Sequence, residues 1–442
     1  MDGWPGCEKI SRSVARSLNT DPISLQGADR TGDGNVAMID QKAAVQPGSS
    51  MQCAASSATA PVQVFTAMEP LEKDWRRLER DNAISLHQSY DWCRAWVKTH
   101  GNPLAIVSGR SDHGHRFILP LEITRPTMIR KAGFIGTRFT NINTGLFDPA
   151  FLRQPSPMDA GQFGAQIVAA LDGRADLIHL GNVPLSWRGL THPLTGLCAI
   201  ENQNHTFQLP LLGDFEATLA QVNAKRRRKK YRNQVRKLEA IGGFEHVIAS
   251  GEDQKAWLLD LFFQQKAVRF EALGLPDVFH EPETQAFFQL LLQSESGGLN
   301  VPLELHALKL HGTHEGRIAA IAGLSRKGDH VICQFGSIDE TLAPEASPGE
   351  LLFWLMIEQC CAEGASLFDF GIGDQIYKRS WCPVETVQHD ILLPVTAIGH
   401  LAATAERGLT RSKAAIKAHP QLYGFLQKLR ARSTAPAREA ED

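Results

Sequence analysis

Three pieces of the chain decide its fold: His330-Val331-Ile332-Cys333-Gln334-Phe335, then Ser347-Pro348-Gly349-Glu350-Leu351-Leu352, then Leu367-Phe368-Asp369-Phe370-Gly371-Ile372-Gly373-Asp374. His330–Phe335 and Leu367–Phe370 read as short strands. Between them Leu351–Ala362 is apolar nearly all round, the mark of a buried helix. Pro348 suits the first helical position, and Ser347 with Glu350 three residues on predicts a capping box. A strand, a helix and a strand of these lengths form a βαβ unit, whose strands run parallel through a right-handed crossover. The helix then begins at the carboxyl end of both strands. Exposed N–H groups and a partial positive charge make that end an anion site, and Gly349 lets a ligand approach the backbone. Asp369, Asp374, Tyr377, Lys378 and Trp381 are predicted to gather at the same end. By spacing alone these residues also fit a plain helix start, a turn, a structural hydrogen bond for Asp369, a solvated Lys378 and a core Trp381.

Outward from this unit, Asp214 is a good N-cap and no Pro or Gly follows until Gly242. This predicts one helix of roughly 40 Å. Strand Phe244–Ile248, helices Gln254–Glu271 and Pro282–Gln293, strands Leu303–Leu310 and Arg317–Leu324, and a late strand Gln388–Leu393 complete a lobe over 213–395. Upstream, strand Val62–Thr66, helices Pro70–Arg80 and Ser89–His100, strands Leu104–Ser108 and Phe117–Ile123, helix Met158–Leu171 and strands Leu177–Leu180 and Thr206–Leu209 make a second lobe over 61–212. The fold class expected is mixed α/β, two lobes each with a mixed sheet flanked by helices. Residues 1–60, rich in Gly, Ser, Asp and Gln, read as a disordered segment, and 396–442 as a basic helical tail.

Composition narrows the function classes. Lys+Arg 46 against Asp+Glu 48 leaves a net charge of −2, so any anionic partner must be held by a local patch. The longest apolar run, Leu351–Ile357, is far short of the roughly 20 residues that span a bilayer, and no apolar signal-peptide core opens the chain. The 8 cysteines contain no C-x-x-C pair, which points to a reducing cytoplasm, and Cys382 has no histidine in a partner context. His306 and His311 fall on opposite faces of one strand, so no metal is expected. Lys225–Lys237 holds nine basic residues and no acid. Six of these in a row cover every helix face at about 100° each. The run fits a solvated face, a phosphate-bearing ligand (coenzyme A, a nucleotide-sugar or a lipid-linked sugar) or a nucleic acid, although Tyr231 is its only aromatic. Lys266 and Arg269, three apart on one helix face, suit an anionic acceptor or a solvated face.

Ser-Pro-Gly-Glu-Leu-Leu (347–352), Phe-Asp-Phe-Gly-Ile-Gly-Asp (368–374) and Tyr-Lys-Arg-Ser-Trp (377–381) together resemble the GNAT-superfamily acyltransferases related to FemAB. The nearest subgroup is that met in bacterial cellulose and exopolysaccharide biosynthesis. Looser matches at Ser89–Trp92, Leu177–Pro184 and Arg226–Gly242 extend the resemblance over about 62–394. It implies tandem GNAT-like lobes and a thioester donor, usually acetyl-CoA, with its pyrophosphate on Ser347, Pro348, Gly349 and Glu350. A backbone N–H on the splayed strand would polarise the thioester while an amine or hydroxyl attacks directly. The catalytic candidates are Asp369, Asp374 and Tyr377, and the substrate contacts Arg226, Arg228, Lys266, Arg269, Lys378 and Trp381. The implied partners are a small-molecule or sugar acceptor and polysaccharide-synthesis machinery rather than nucleic acid; the short apolar runs already argue against a membrane span. The common pyrophosphate loop Gln/Arg-x-x-Gly-x-Gly/Ala is absent, Pro344–Gly349 offering only Gly349. FemAB peptidyltransferases take aminoacyl-tRNA and carry a helical-hairpin insertion not seen here, which favours acyl-CoA. Aminoacyl-tRNA-dependent peptidyl transfer, or a non-catalytic nucleic-acid-binding role for 225–237, is the alternative.

Overall fold

The computed structural model describes residues 62–110, 116–152, 160–197, 199–294 and 300–418. The expectations for 1–60 and for the end of the tail lie outside these residues. Strand β1 (Gln63–Phe65) leads into α1 (Glu72–Leu78) and α2 (Tyr90–His100). Trp92 and Trp96, four apart on α2, are both buried, as the helical period requires. Next come β2 (Ile106–Arg110), β3 (Arg116–Leu119), β4 (Leu121–Thr124), β5 (Lys131–Phe134) and β6 (Leu146–Phe147). The strand predicted over Phe117–Ile123 is split at Pro120, which has no N–H to give a ladder. As a result β3 pairs with β2 and β6, while β4 pairs with β5 in a different sheet.

Helices α3 (Pro149–Leu152) and α4 (Ala160–Ala170), strand β7 (Leu177–Pro184), the hairpin β8 (Ser186–Trp187) and β9 (Leu190–Thr191), then β10 (Ala199–Glu201) and β11 (Thr206–Pro210) follow. Asp214 caps α5 (Phe215–Ala220), accepting from the Ala217 N–H at 2.7 Å. The single long helix predicted from Asp214 to Gly242 does not form. Asn223 accepts from the Arg226 N–H at 3.1 Å and starts a second helix, α6 (Ala224–Glu239). A short polar side chain inside a helical pattern competes for the backbone in this way.

The chain continues through β12 (Phe244–Ile248), α7 (Glu252–Ala272), α8 (Pro282–Gln293), β13 (Val301–Leu310), β14 (Ile318–Lys327) and β15 (His330–Ile338). It closes with α9 (Pro348–Ala362), β16 (Leu367–Ile372), α10 (Ile376–Trp381), β17 (Val384–Thr386), β18 (Gln388–Pro394) and α11 (Ala397–Ala418). Among the described residues no helix is long and apolar enough to cross a membrane.

The fold is mixed α/β. The largest sheet runs β12-β13-β14-β15-β16-β11-β17, a second β10-β18-β7-β5-β4, and a third β1-β2-β3-β6. Within the largest sheet β15 and β16 are parallel and the other neighbours antiparallel. Alternation gives it two apolar faces. Leu305, Ala307, Ile332 and Phe335 pack with α7, α8 and the tryptophans of α2, whereas Leu308, Leu310, Val331 and Cys333 pack with α9 and Leu238 of α6.

Two strands cross the boundary predicted at 212/213. Strand β11, expected in the first lobe, lies between β16 and β17, while β18, expected in the second, lies between β10 and β7. The alternation of a five- to seven-residue strand says which faces it buries but not which sheet it joins.

Candidate functional site

The parallel ladder of β15 and β16 is short. His330 pairs with Leu367, Val331 with Phe368 and Ile332 with Asp369, and there it stops. Beyond it β15 runs on to Ile338 and β16 to Ile372 without pairing to each other, although each stays paired on its outer side, with β14 and β11. On its other side β15 carries a bulge: Gly323 pairs with Phe335 but Leu324 with Cys333, so Gln334 is one residue too many. A bulge bends its strand and sharpens the twist, which turns β15 away from β16. A cavity of about 590 Å³ opens in the gap, lined by 333–338 of β15, 370–372 of β16, Gly349, Glu350, Leu352, Phe353 and Met356 of α9, Tyr377 and Lys378 of α10, Lys266 and Arg269 of α7, and Asn141.

The start of α9 forms one wall. Pro348 has no N–H, and among the described residues nothing accepts from the Gly349 N–H. A Cβ on Gly349 would lie 2.7 Å from Cγ2 of Ile338, so only glycine lets the helix sit this close to β15. The capping box is not formed. Ser347 has φ 50° and ψ 62°, and its side chain makes no cap bond; its carbonyl accepts from Gln234 Nε2 at 3.1 Å. Glu350 turns instead to α6, accepting from Arg227 Nη1 at 2.7 Å and pairing with Lys230. Two cations outcompete one backbone N–H for a carboxylate.

The basic run divides accordingly. Arg227 is buried, its guanidinium 3.7 Å from the Trp381 ring centroid and its Nη2 donating to Ser380 Oγ at 2.6 Å. Trp381 is 1% exposed beneath it and belongs to the core, which removes it from the substrate contacts. Arg228 pairs with Glu216. Arg226 lines a separate groove of about 560 Å³ with Lys229, Lys230, Arg232, Asn233 and Arg236. Neither Arg226 nor Arg228 reaches the main cavity wall.

Helix α10 was missed in sequence because six residues are too few to display a period. Gly371 at φ 74° and Gly373 at φ 109° turn the chain off β16, and α10 brings Tyr377 and Lys378 back to the wall. The Tyr377 ring stacks on Phe353 at 5.4 Å, and burial pushes its phenol well above the usual value. Lys378 Nζ donates to the carbonyls of Gly371 at 3.2 Å and Ile372 at 2.7 Å, and burial pulls its ammonium down. Cys333, also in the wall, is pushed up to about 11 by burial and stays a thiol.

The two predicted carboxylates are not in the wall. Asp374 is exposed and both its oxygens are held by Arg379. Asp369 is fully buried where the strands diverge; burial would raise its pKa, but His330 Nε2 at 3.5 Å, Gln208 Nε2 at 3.0 Å and the Gly371 N–H at 2.7 Å hold it below the usual carboxylate range. It ties β11, β15 and β16 together at the point of divergence. Lys266 and Arg269 do reach the wall, as their helical spacing allows. Gln334 and Asn141 were missed: the bulge depends on register, and Asn141 arrives from the N-terminal half. Among the described residues no group of three or more His, Cys, Asp or Glu is gathered to hold a metal ion.

Residues 225–379, which include the splay and every wall residue named above except Asn141, match the family described as acetyltransferase (GNAT) domain. The structure is similar to that of FemX, with TM-score 0.51 and 13% identity over 73% of this chain and 96% of that one. It also aligns with a tandem GNAT protein from the clavulanic acid biosynthesis pathway (TM-score 0.43, 11% identity, 76% and 99% covered). A third alignment is with the C-terminal domain of a lysylphosphatidylglycerol synthetase from Agrobacterium fabrum (TM-score 0.44, 13% identity, 74% and 91% covered). Comparison with curated proteins returns no match. The fold is thus similar to that of FemX, with the match to the acetyltransferase (GNAT) domain confined to 225–379.

Proposed function

We propose that the protein transfers an acyl group from an acyl-CoA, acetyl-CoA in the first instance, to an acceptor amine or hydroxyl. The observation that carries this reading is the parting of β15 from β16 beside the open start of α9. Parted strands expose backbone N–H groups of β15 to a thioester laid in the gap, and the Gly349 N–H with the helix end suits a pyrophosphate. The acceptor lone pair bonds to the carbonyl carbon, and the charge developing on oxygen is met by those N–H groups. The C–S bond then breaks. The departing thiolate takes a proton from the Tyr377 phenol, and the acceptor's surplus proton, carried through water, restores that phenol. With Glu350 engaged by two cations and Asp369 and Asp374 outside the wall, an amine that sheds its own proton is better served than a hydroxyl. An amino sugar of a polysaccharide precursor, acylated in the cytoplasm beside the synthesis machinery, is the acceptor in keeping with the sequence resemblance.

Calorimetric titration with acetyl-CoA tests the reading, with Gly336→Leu as the blocked variant. Phe335 stacks on Phe262 and Ser337 bonds Gln265 on the α7 side, so a side chain at 336 enters the cavity from the α9 side. A Cβ there meets nothing nearer than the Ile321 carbonyl at 3.4 Å, so the fold should hold. Binding in the parent and at least a tenfold loss in Gly336→Leu are expected. No binding at millimolar acetyl-CoA would overturn the donor assignment.

One observation favours a second reading, an aminoacyl-tRNA donor. Arg226, Lys229, Arg232 and Arg236 have no acidic partner among the described residues and line one groove. In that case mixed-sequence RNA should bind with a steep salt slope, and acetyl-CoA should not bind.

A further inference from the structure

We infer that the acceptor taken at this site carries a negative charge, a carboxylate or a phosphate, and is held through it by Lys266 and Arg269 of α7. This rests on the acyl-transfer reading and names the class of its second substrate. The first argument is charge. Half-buried Lys266 has no carboxylate partner among the described residues; its nearest recorded contact is the Phe270 ring, 5.5 Å from Nζ. Among the described residues Arg269 beside it pairs with Glu340. Lys378, the third cation of the wall, donates to carbonyls alone. The wall's one carboxylate, Glu350, is already matched by Arg227 and Lys230. Asp369 acts on Lys378 and Asp277 on Lys266 only through space, so Lys266 has no carboxylate in contact, a costly arrangement in partly desolvated surroundings unless a ligand supplies one. Burial, with Arg269 adding to it, pulls the Lys266 ammonium below its usual pKa, as an unpaired cation should be.

The second argument is placement, and it separates acceptor from donor. Helix α7 covers the face of β15 from which Phe335 and Ser337 project, with Phe335 stacked on Phe262 at 4.0 Å and Ser337 Oγ donating to Gln265 at 2.7 Å. Helix α9 covers the opposite face, with Gly349 against Ile338. The gap between β15 and β16 joins the two faces. A donor seated on the start of α9 presents its thioester through the gap, and the nucleophile must come from the far side. Lys266 and Arg269 stand on that far side, so the anion they meet enters with the acceptor.

The test compares acceptor pairs that differ in one charge: glucosamine with glucosamine 6-phosphate for the phosphate arm, and glycinamide with glycine for the carboxylate arm. In the intact chain the charged member of at least one pair should have kcat/KM at least tenfold above its neutral partner. Lys266→Met, which keeps the apolar stem, should erase that preference through KM while leaving the acetyl-CoA Kd within twofold. Should no pair turn over, calorimetric titration of the same four compounds decides by the same tenfold criterion. Equal use or equal binding of charged and neutral members would overturn the inference. So would a Lys266→Met variant whose acetyl-CoA affinity falls with that of the acceptor, because the cations would then serve the donor. Failure of the acyl-transfer reading shows separately, as a parent chain with no affinity for acetyl-CoA.

Discussion

Nine basic residues between Lys225 and Lys237 look alike in sequence, yet one of them does a different job. Six consecutive cations cannot all lie on a solvated face, so burial of at least one was legible; which one was not, because that depends on where α9 lies. It is Arg227, clasped by Glu350, Ser380 and the Trp381 ring. Arg227→Met should destabilise the fold by about 2–4 kcal/mol, since it leaves the Glu350 carboxylate partly desolvated with Lys230 as its sole partner. Arg226→Ala on the next position should stay within about 0.5 kcal/mol. Urea unfolding of the two variants checks this, and equal losses would mean the buried contacts carry no special weight. The aspartates teach the same lesson. Alternation correctly set Asp369 apart from Phe368 and Phe370. The Gly371 N–H from which Asp369 accepts is two residues on, but its other amide donor, Gln208, comes from β11, on the far side of the predicted lobe boundary.

At the scale of elements, the βαβ unit was legible because its strand, helix start, apolar helix and second strand are contiguous, and the parallel pairing of His330–Ile332 with Leu367–Asp369 follows from that order. Three things were not. The capping box was inferred from Ser347 and Glu350, but a left-handed Ser347 cannot aim its hydroxyl at the first turn. The bulge at Gln334 exists only in the register with β14. The strand exchange is the largest miss, since each exchanged strand has the right local pattern and the wrong partners. It makes a prediction. A chain ended before Gln388 loses the strand that pairs β10 and β7, although it keeps every residue of the first lobe. Circular dichroism and thermal unfolding should show the truncated protein without a cooperative transition; a sharp transition near that of the full chain would mean that β18 is dispensable.

Across the whole molecule, acid should act through two buried imidazoles. Burial holds His87 and His192 down at about 4. The Nδ1 of each accepts a backbone N–H, from Asn141 at 3.4 Å and Leu194 at 3.2 Å, so each is neutral with its proton on Nε2. In the unfolded chain both take protons near the ordinary histidine value of about 6.5. Between that value and about 4 the unfolded state binds more protons, and stability falls as pH falls, by up to about 3 kcal/mol for each group. Urea midpoints measured from pH 7 to pH 5 should therefore drop, and His192→Asn, neutral throughout, should flatten the profile in part, because His87 and half-buried His246, also held down at about 4, still contribute; a level parent profile would contradict neutral burial. The exchanged strands have one more consequence, for the order of events during synthesis. A ribosome delivers β7 and β10 long before β18, and at about 5–20 residues per second the early sheet waits on the order of ten seconds or more for its missing strand. Neither half can finish alone, so the nascent chain carries open sheet edges at β7 and β10, sites prone to wrong pairing, until β18 has been made.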